Sequence, residues 1–247
     1  MRNFIAVVLM ALLAACEPAA QARAPGDSYV LALSWQPAFC ETSPRRGECR
    51  SQTVSRPDAR QFSLHGLWPQ PGTRVWCTDD AQSVAADKAG RWRDIDIDRL
   101  DDPLWRRLQV AMPGTRSQLH RHEWIKHGTC MKGATAESYF ETSLDLLDAV
   151  NASSAARLFA ANIGRRLSAG QVRAAFDADF GEGAGERVKL SCAYDGNRRI
   201  ISELTIGLKG PLDRDTFSRE ELAALIMASP PVDEGCPAGV VDGVGDQ

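Results

Sequence analysis

Three of the four histidines lie in two short blocks of sequence. The first block is His65-Gly-Leu-Trp-Pro69, and the second is His122-Glu-Trp-Ile-Lys-His-Gly-Thr-Cys130. Because the pKa of an unperturbed histidine is about 6.5, its ring can give or take a proton near neutral pH. Two histidines that face one substrate can therefore act as acid and base in the same reaction. The second block adds a lysine and a glutamate, so that a cation and an anion stand beside the histidines.

The second block predicts a helix over 117–127, because the segment has no Pro or Gly before Gly128, which suits a helix end. At about 100° per residue, the ionisable side chains of this block share one face of about 140°; they are His122, Glu123, Lys126 and His127. Trp124 and Ile125 fall on the opposite side and would anchor the helix. For this block alone, a salt-bridged surface turn is the alternative.

A zinc site is the competing interpretation of the second block. His122-Glu123 begins like the H-E-x-x-H motif of metalloproteases. The second histidine comes one residue late, however, and Lys126 occupies the place of the ligand. A cationic lysine is a poor neighbour for a divalent cation, and no third ligand is indicated. We therefore expect no metal, and no motif of acyl-transfer or nucleotide-cofactor enzymes predicts another cofactor.

The elements that must position these blocks indicate an α+β protein. Apolar runs and turn residues predict strands over 29–35, 61–65, 188–192 and 199–208, with Gly66 and Pro69 ending the second. Helical spacing and capping residues predict helices over 103–111, 117–127 and 137–150, and a further one after Ser168. Helices in the middle and strands at both ends are typical of one α+β domain, with helices packed on an antiparallel sheet.

The first residues predict export. Residues 1–15 have Arg2, an apolar run and then small residues, which is the pattern of a signal peptide and is too short for a membrane span. Leu13-Ala-Ala-Cys16 is similar to a bacterial lipobox, whose cysteine is lipidated, and ordinary cleavage after Ala22 or Ala24 is the alternative. We expect a tether over 16–27, a domain over 28–238 and a flexible tail over 239–247. The expected location is the periplasm, the outer membrane through a lipid anchor, or the medium.

The cysteine count supports the same compartment. The chain has seven cysteines, and removing Cys16 leaves an even set, which predicts three disulfides in an oxidising environment. Six cysteines allow fifteen pairings, and order along the chain favours Cys40–Cys49, Cys77–Cys130 and Cys192–Cys236. The second of these bonds would tie the two histidine blocks together. A loop of that length would stabilise the fold by about 4 kcal/mol on the chain-entropy model.

The charge is close to balanced, with a net value of −3. No overall basic field therefore favours a polyanion, and a nucleic acid would have to be held locally. One candidate basic patch precedes the first histidine block, and a solvated loop is the alternative interpretation; its members are Arg45, Arg46, Arg50, Arg56 and Arg60.

The two histidine blocks resemble the active-site segments of the ribonuclease T2 family. Further likenesses are the segment 31–35 with Cys40, which resembles the first strand of the family, and the segment 138–140, which resembles a following helix. Ser191-Cys192 and Ser202-Glu-Leu204 are similar to its late strands. The resemblance covers roughly 29–236 and so the whole predicted domain.

The resemblance implies a metal-independent endoribonuclease that cleaves single-stranded RNA through a 2′,3′-cyclic phosphate with broad base tolerance. His127 would take the proton of the ribose 2′-hydroxyl, and His65 would protonate the leaving 5′-oxygen. His122 would hold the phosphate, while Lys126 and Glu123 would stabilise the transition state. Since a base must be neutral and an acid protonated, activity should be bell-shaped in pH. The alternative is a silent relative that binds RNA or serves at the envelope, and the intact set of five residues argues against it.

Three further residues resemble base-contacting positions of the family, namely Trp68, Gln70 and Trp76. Stacking on an aromatic ring tolerates any base, and an amide can both donate and accept, so base preference stays open. Burial in the core is the alternative for both tryptophans. The remaining histidine, His120, is expected to be peripheral. RNA is the expected partner, and the chain is expected to act as a monomer.

Overall fold

A six-stranded sheet runs through the residues that the computed structural model describes, 27–212 and 216–245. Its strands are β1 (Ser28–Ser34), β2 (Ser63–Pro69), β3 (Arg166–Ser168), β4 (Val188–Asp195), β5 (Arg198–Lys209) and β6 (Ala238–Val240). The order is β2-β1-β5-β6-β3, and β4 also pairs with β5. Among these described strands only β5 and β6 run parallel. The expected α+β class with a mainly antiparallel sheet is confirmed.

The helices of the described residues cover this sheet and its connections. They are α1 (Gln36–Thr42), α2 (Gly47–Arg50), α3 (Ala81–Lys88), α4 (Asp102–Ala111), α5 (Leu119–Lys126), α6 (Ala136–Asn151), α7 (Ser154–Ala161), α8 (Ala169–Phe180) and α9 (Arg219–Ala228). Ser168 and Gln171 form the capping box that begins α8, as predicted from their spacing. No helix in the described part of the chain has the length and apolarity of a membrane span.

The longest helix, α6, fixes the strand that carries the first histidine block. Tyr139 of α6 is buried, and its hydroxyl accepts the N–H of Leu67 at 3.2 Å and donates to the carbonyl of Leu67 at 3.0 Å. Buried polar groups cost free energy unless they are paired, so these two bonds hold β2 against the core at a defined height.

Two boundaries differ from the sequence prediction. Strand β2 continues through Gly66 to Pro69, because its backbone stays paired with β1 beyond a register shift at Ala32. The predicted helix over 117–127 begins only at Leu119, because Gln118 adopts a left-handed conformation with φ of 66°. The first histidine block therefore lies within β2 and does not follow the end of a strand.

The expected tail is partly inside the fold. Residues 239 and 240 belong to β6, which pairs with β3, and the carbonyl of Asp242 accepts the indole N–H of Trp35 at 2.8 Å. The prediction of a flexible tail from 239 is therefore wrong for its first residues, since a buried tryptophan depends on them. The predicted export signal, Cys16 and the tether up to residue 26 lie outside the described residues.

All three predicted disulfides form. The Cα–Cα distances are 5.1 Å for Cys40–Cys49, 4.8 Å for Cys77–Cys130 and 5.8 Å for Cys192–Cys236. The second bond links the turn after the first histidine block to the end of the second. Three disulfides in one domain fit an exported protein, because cytosolic thiols are kept reduced.

Candidate active site

His65 lies in the middle of β2, at one edge of the sheet. The residue after it has to be glycine, because a Cβ built on Gly66 would lie 1.9 Å from Oε2 of Glu123. Any side chain at this position would displace that carboxylate. The glycine of the first block thus makes room for the second block.

Helix α5 ends inside the second histidine block, and the backbone changes direction there. Lys126 is its last residue, and His127 follows with φ of −117° and ψ of −48°, its N–H donating to the carbonyl of Glu123 at 3.0 Å. A Cβ on Gly128 would lie 2.3 Å from the ring of Trp124, so this position also requires glycine. The packed tryptophan and the helix end together direct His127 toward the side of the helix that carries Glu123.

Glu123 lies at the centre of the cluster with a 1% exposed side chain. Its Oε2 accepts the indole N–H of Trp68 at 2.8 Å, and its Oε1 lies 3.7 Å from Nε2 of His65 and 3.9 Å from Nε2 of His122. Burial raises the pKa of Glu123, against the lowering effect of the two histidines. One buried carboxylate therefore contacts residues of both histidine blocks.

His65 is held from both sides by carboxylates. Its Nδ1 lies 2.6 Å from Oε2 of Glu203 on β5, while Nε2 faces Glu123. Burial lowers the pKa of His65, but the hydrogen bond to Glu203 and the charges of Glu123 and Glu203 outweigh burial and raise it above the ordinary value. The ring is thereby favoured in its protonated form, which is the form that a proton donor needs.

His127 has the opposite environment. Its ring packs on Trp68, with 5.5 Å between the ring centres, and its buried Nδ1 has no hydrogen-bond partner in the described residues. Burial, and then the neighbouring cations of Lys126, His122 and His65, lower the pKa of His127 to about 3. The ring is therefore neutral over nearly the whole working range of pH and is fit to accept a proton.

His122 is fixed by Asp87 of helix α3. Its Nδ1 lies 2.6 Å from Oδ1 of Asp87, whose Oδ2 accepts the indole N–H of Trp76 at 2.8 Å. The ring of Trp92 stacks on that of His122 at 4.6 Å with an interplanar angle of 25°. The Nε2 atom of His122 is thus aimed at the cluster by a carboxylate behind the ring and an aromatic ring beside it.

Sequence reasoning missed three of these supporting residues as site residues: Glu203, Asp87 and Trp92. Glu203 stands inside the segment Ser202-Glu-Leu204 that resembles the family, so a signal for it was present. Asp87 had none, because α3 is a short helix whose sequence, Ala-Gln-Ser-Val-Ala-Ala-Asp-Lys, has no clear apolar stripe.

Three donor groups of the cluster come close enough to hold a cation. One atom each of His122, Glu123 and His127 lies within 4.8 Å of the other two. The ammonium of Lys126, however, is near enough to lower the pKa of both Glu123 and His127. A site that already places a fixed cation beside two histidines favours an anion over a divalent cation.

The three candidate base-contacting residues lie around this cluster, and all are half-buried. Trp68 stands between the two catalytic candidates, with ring centres 5.3 Å from His65 and 5.5 Å from His127. Gln70 donates its amide N–H to the carbonyl of Trp68 at 3.1 Å. Trp76 has a left-handed backbone with φ of 54°, and the Lys88 ammonium lies 4.6 Å from its ring centre.

A groove of about 390 Å³ opens beside His65, within the size range of ligand pockets. It is lined by His65, Glu203 and Trp92 of the cluster, and also by Arg46, Glu48 and Ser117. The groove therefore connects the side of the cluster that carries His65 to the loop that carries the predicted basic patch.

His120 lies apart from this site although it belongs to the same helix. It is buried, with its ring centre 5.0 Å from that of Trp105. Burial, with a smaller effect of Arg121, lowers the pKa of His120 to about 4. The ring is therefore a neutral packing group, in keeping with the expected peripheral role.

The substitution Glu203→Gln is expected to shift the alkaline side of the pH profile. Since Glu203 raises the pKa of His65, its loss lets His65, the expected proton donor, deprotonate at a lower pH. We expect kcat/KM to fall about tenfold at about pH 7.5 and by less than about twofold at about pH 5. A merely structural role would instead lower activity equally at both pH values, and Glu41→Gln, which breaks an ion pair with Arg198, provides the control.

Comparison with known proteins shows which family and which proteins this chain is similar to. The model of the ribonuclease T2 family matches residues 26–222. Ribonuclease I of Escherichia coli (strain K12) is 32% identical, with 86% of this chain and 89% of that protein covered. Ribonuclease MC of Momordica charantia is 28% identical, with 70% of this chain and 83% of that protein covered.

A solved structure supports the fold. The self-incompatibility-associated SF11-RNase of Nicotiana alata superposes with a TM-score of 0.51 at 17% sequence identity, and covers 78% of this chain and 95% of that one. At this identity the likeness concerns the architecture alone. Because the family model spans most of the chain, including both histidine blocks, the chain belongs to the ribonuclease T2 family.

Proposed function

We propose that this protein cleaves single-stranded RNA by metal-independent transphosphorylation, with His127 as the base and His65 as the acid. That it is an endoribonuclease of the T2 type follows from its family. The observation that carries the division of labour is the opposite perturbation of the two rings: the pKa of His65 is raised and that of His127 is lowered. Titratable groups whose surroundings separate their pKa values are suited to acid and base roles.

In the first step His127 accepts the proton of the ribose 2′-hydroxyl, and the 2′-oxygen bonds to phosphorus. The bond from phosphorus to the 5′-oxygen breaks, and His65 gives its proton to that oxygen. The products are a 2′,3′-cyclic phosphate and a free 5′-hydroxyl. In a second step the same pair exchanges roles and adds water to the cyclic phosphate. Proton transfer of this kind contributes about 10²–10⁴-fold in rate.

The remaining cluster would bind the phosphate. The ammonium of Lys126 and Nε2 of His122 offer donors, and the contact between Asp87 and Nδ1 of His122 orients that ring. Glu123, which is buried between His65 and His122, keeps these donors in position. Preorganised donors in a site with little water stabilise developing charge strongly, and no metal is required in this scheme.

Base contacts would be permissive. Lys88 occupies one face of Trp76, so a base can stack only on the other face. The ring of Trp68 is less accessible to a base, because its indole N–H donates to Glu123 and its ring contacts those of His65 and His127. Gln70 adds an amide that suits more than one base. Stacking without a fixed set of hydrogen bonds fits broad base specificity.

The decisive experiment is digestion of single-stranded RNA in the presence of EDTA, with analysis of early products. We expect undiminished cleavage and fragments that end in a 2′,3′-cyclic phosphate. RNA with 2′-O-methyl ribose is the matched control and should resist, since its nucleophile is blocked. Loss of cleavage in EDTA, or cleavage of the methylated RNA, would refute the mechanism.

We also propose that the mature protein is a monomer carried to the periplasmic side by its export signal and anchored through a lipid on Cys16. The lipobox-like segment and the even number of remaining cysteines support this location. The substitution Cys16→Ala tests the anchor: the protein should leave the membrane fraction, and unchanged partitioning would refute lipidation.

A further inference from the structure

Arginines stand on the loop and on the turn that line part of the groove beside His65. We call Arg45, Arg46, Arg50 and Arg116 the arginine rim. Arg46 lines the groove itself, and the guanidinium of Arg50 donates to the carbonyl of Arg45. Arg116 comes from a distant part of the sequence, and its Cβ lies 3.6 Å from the position of a Cβ built on Gly47. All four side chains are exposed.

The structure changes the predicted basic patch. Arg56, one of its predicted members, pairs with Asp58 at 2.9 Å and donates to the carbonyl of Glu48 at 3.1 Å, so its charge is used within the loop. The sequence prediction missed Arg116, because it lies 56 residues beyond Arg60. The packing of α2 against the turn over 113–117 brings it into the rim.

The charge of the arginine rim is largely uncompensated. The segments 36–50 and 113–119 contain two carboxylates, Glu41 and Glu48. Glu41 pairs with Arg198 at 3.8 Å, and Glu48 is buried with its carboxylate bonded to the hydroxyl of Ser117. Within the described residues no carboxylate forms an ion pair with a member of the rim. In a protein of net charge −3, such a patch is a local site for a polyanion.

The rim is also held in place. Cys40–Cys49 closes the loop that carries Arg45 and Arg46, and the guanidinium of Arg56 donates to the carbonyl of Glu48 in this loop. A fixed loop lets the arginines meet a phosphate chain without a large ordering cost.

From this arrangement we propose that the arginine rim binds backbone phosphates of the RNA strand on the 3′ side of the cleaved bond. The inference rests on the proposed function, because His65 lines the groove and donates its proton to the 5′-oxygen of the leaving strand. That strand therefore enters the groove and continues past Arg46. Long RNA then gains contacts that a dinucleotide cannot make, and the protein prefers polymeric substrates.

The test uses the double variant R46Q/R116Q and strands with one cleavable ribonucleotide among 2′-O-methyl residues. One strand is extended by about six nucleotides on the 3′ side of the cleavable bond, and the other by the same length on the 5′ side. Relative to the wild type, the double variant is expected to have a KM for the 3′-extended strand that is about fivefold to tenfold higher, measured at salt concentrations between about 50 and 200 mM. The 5′-extended strand and a dinucleotide should change by less than about twofold.

Binding gives a second measurement that needs no cleavage. A fully 2′-O-methylated oligonucleotide should bind the double variant more weakly, with a slope of log affinity on log salt reduced by about 1.4, or about 0.7 for each arginine. The matched control is R165Q/R166Q, which removes two arginines at the β3 edge, far from β2 in the order of the sheet.

The outcomes separate the two proposals. If the wild type cleaves the dinucleotide but the double variant handles both extended strands and the methylated oligonucleotide like wild type, the rim has no such role and the proposed function stands. Equal effects on both extensions, or equal effects of R165Q/R166Q, also refute the rim. If the wild type cleaves no RNA, the proposed function fails, and the binding measurement still decides for or against the rim.

Discussion

His65→Phe and His127→Phe are each expected to lower kcat for single-stranded RNA by about 10³-fold with little change in KM. Each substitution removes the proposed proton donor or the proposed proton acceptor and keeps an aromatic ring of similar size against Trp68. The effect should appear in single-turnover cleavage, where product release does not contribute. Because each ring carries one of the two proposed proton transfers, the loss should be of the same order for both variants.

His120→Phe is the matched control for these two variants. It replaces a buried histidine of α5 whose Nδ1 has no hydrogen-bond partner in the described residues, so that a phenyl ring breaks no hydrogen bond at that atom. We expect near wild-type activity and an unchanged melting temperature. Full activity in His65→Phe and His127→Phe, or equal loss in a folded His120→Phe, would contradict the assignment.

The pH profile of the wild type belongs to the same prediction. A base with a pKa of about 3 is neutral in all but strongly acidic solution. With increasing pH, kcat/KM should therefore rise through a pH of about 3 and gain nothing further from this group above it. The donor must be protonated, so kcat/KM should fall as the pH passes through the raised pKa of His65, above the ordinary value of 6.5. The expected bell is therefore broad and extends well into the acid range.

Removal of the Cys77–Cys130 bond is expected to have the second large effect. The two cysteines are separated by 53 residues, and a loop of that length corresponds to about 4 kcal/mol of stability on the chain-entropy model. C77S/C130S should therefore unfold at a much lower denaturant concentration. The bond also holds the turn in which the N–H of Trp76 donates to the carbonyl of Lys126 at 2.9 Å. We therefore expect kcat to fall about tenfold or more even where the variant is folded.

C192S/C236S is the matched control, because its bond spans a similar separation of 44 residues and joins β4, which pairs with β5 and not with β2, to the segment before β6. It should lose a comparable stability, about 4 kcal/mol, and keep its kcat at temperatures where it is folded. Equal losses of kcat in the two folded double variants would show that Cys77–Cys130 has no special relation to the site. Unchanged stability of C77S/C130S would contradict the entropic argument.

Much of the architecture follows from local patterns. The helices α4, α6 and α8 and the strands β4 and β5 were predicted from capping residues, apolar spacing and turn residues, because these features act over a few residues. Order along the chain was enough to favour the three disulfide pairings that form. The extent of β2 was not predicted, since its pairing with β1 overrides the ordinary tendency of Gly66 to end a strand.

The residues of the two histidine blocks, and the chemistry that they can do, were determined by the sequence, because residue type and spacing decide which groups titrate and which share a helix face. The tertiary structure alone decided the supporting partners. Glu203 on β5 reaches His65 on β2 across β1, Asp87 reaches His122 from another helix, and Arg116 joins the arginine rim from a distant turn. The pKa of a ring depends on burial and on charges within a few ångströms, and these come from segments far apart in the chain. The separation of the two pKa values, on which the proposed acid and base roles rest, is therefore a property of the fold.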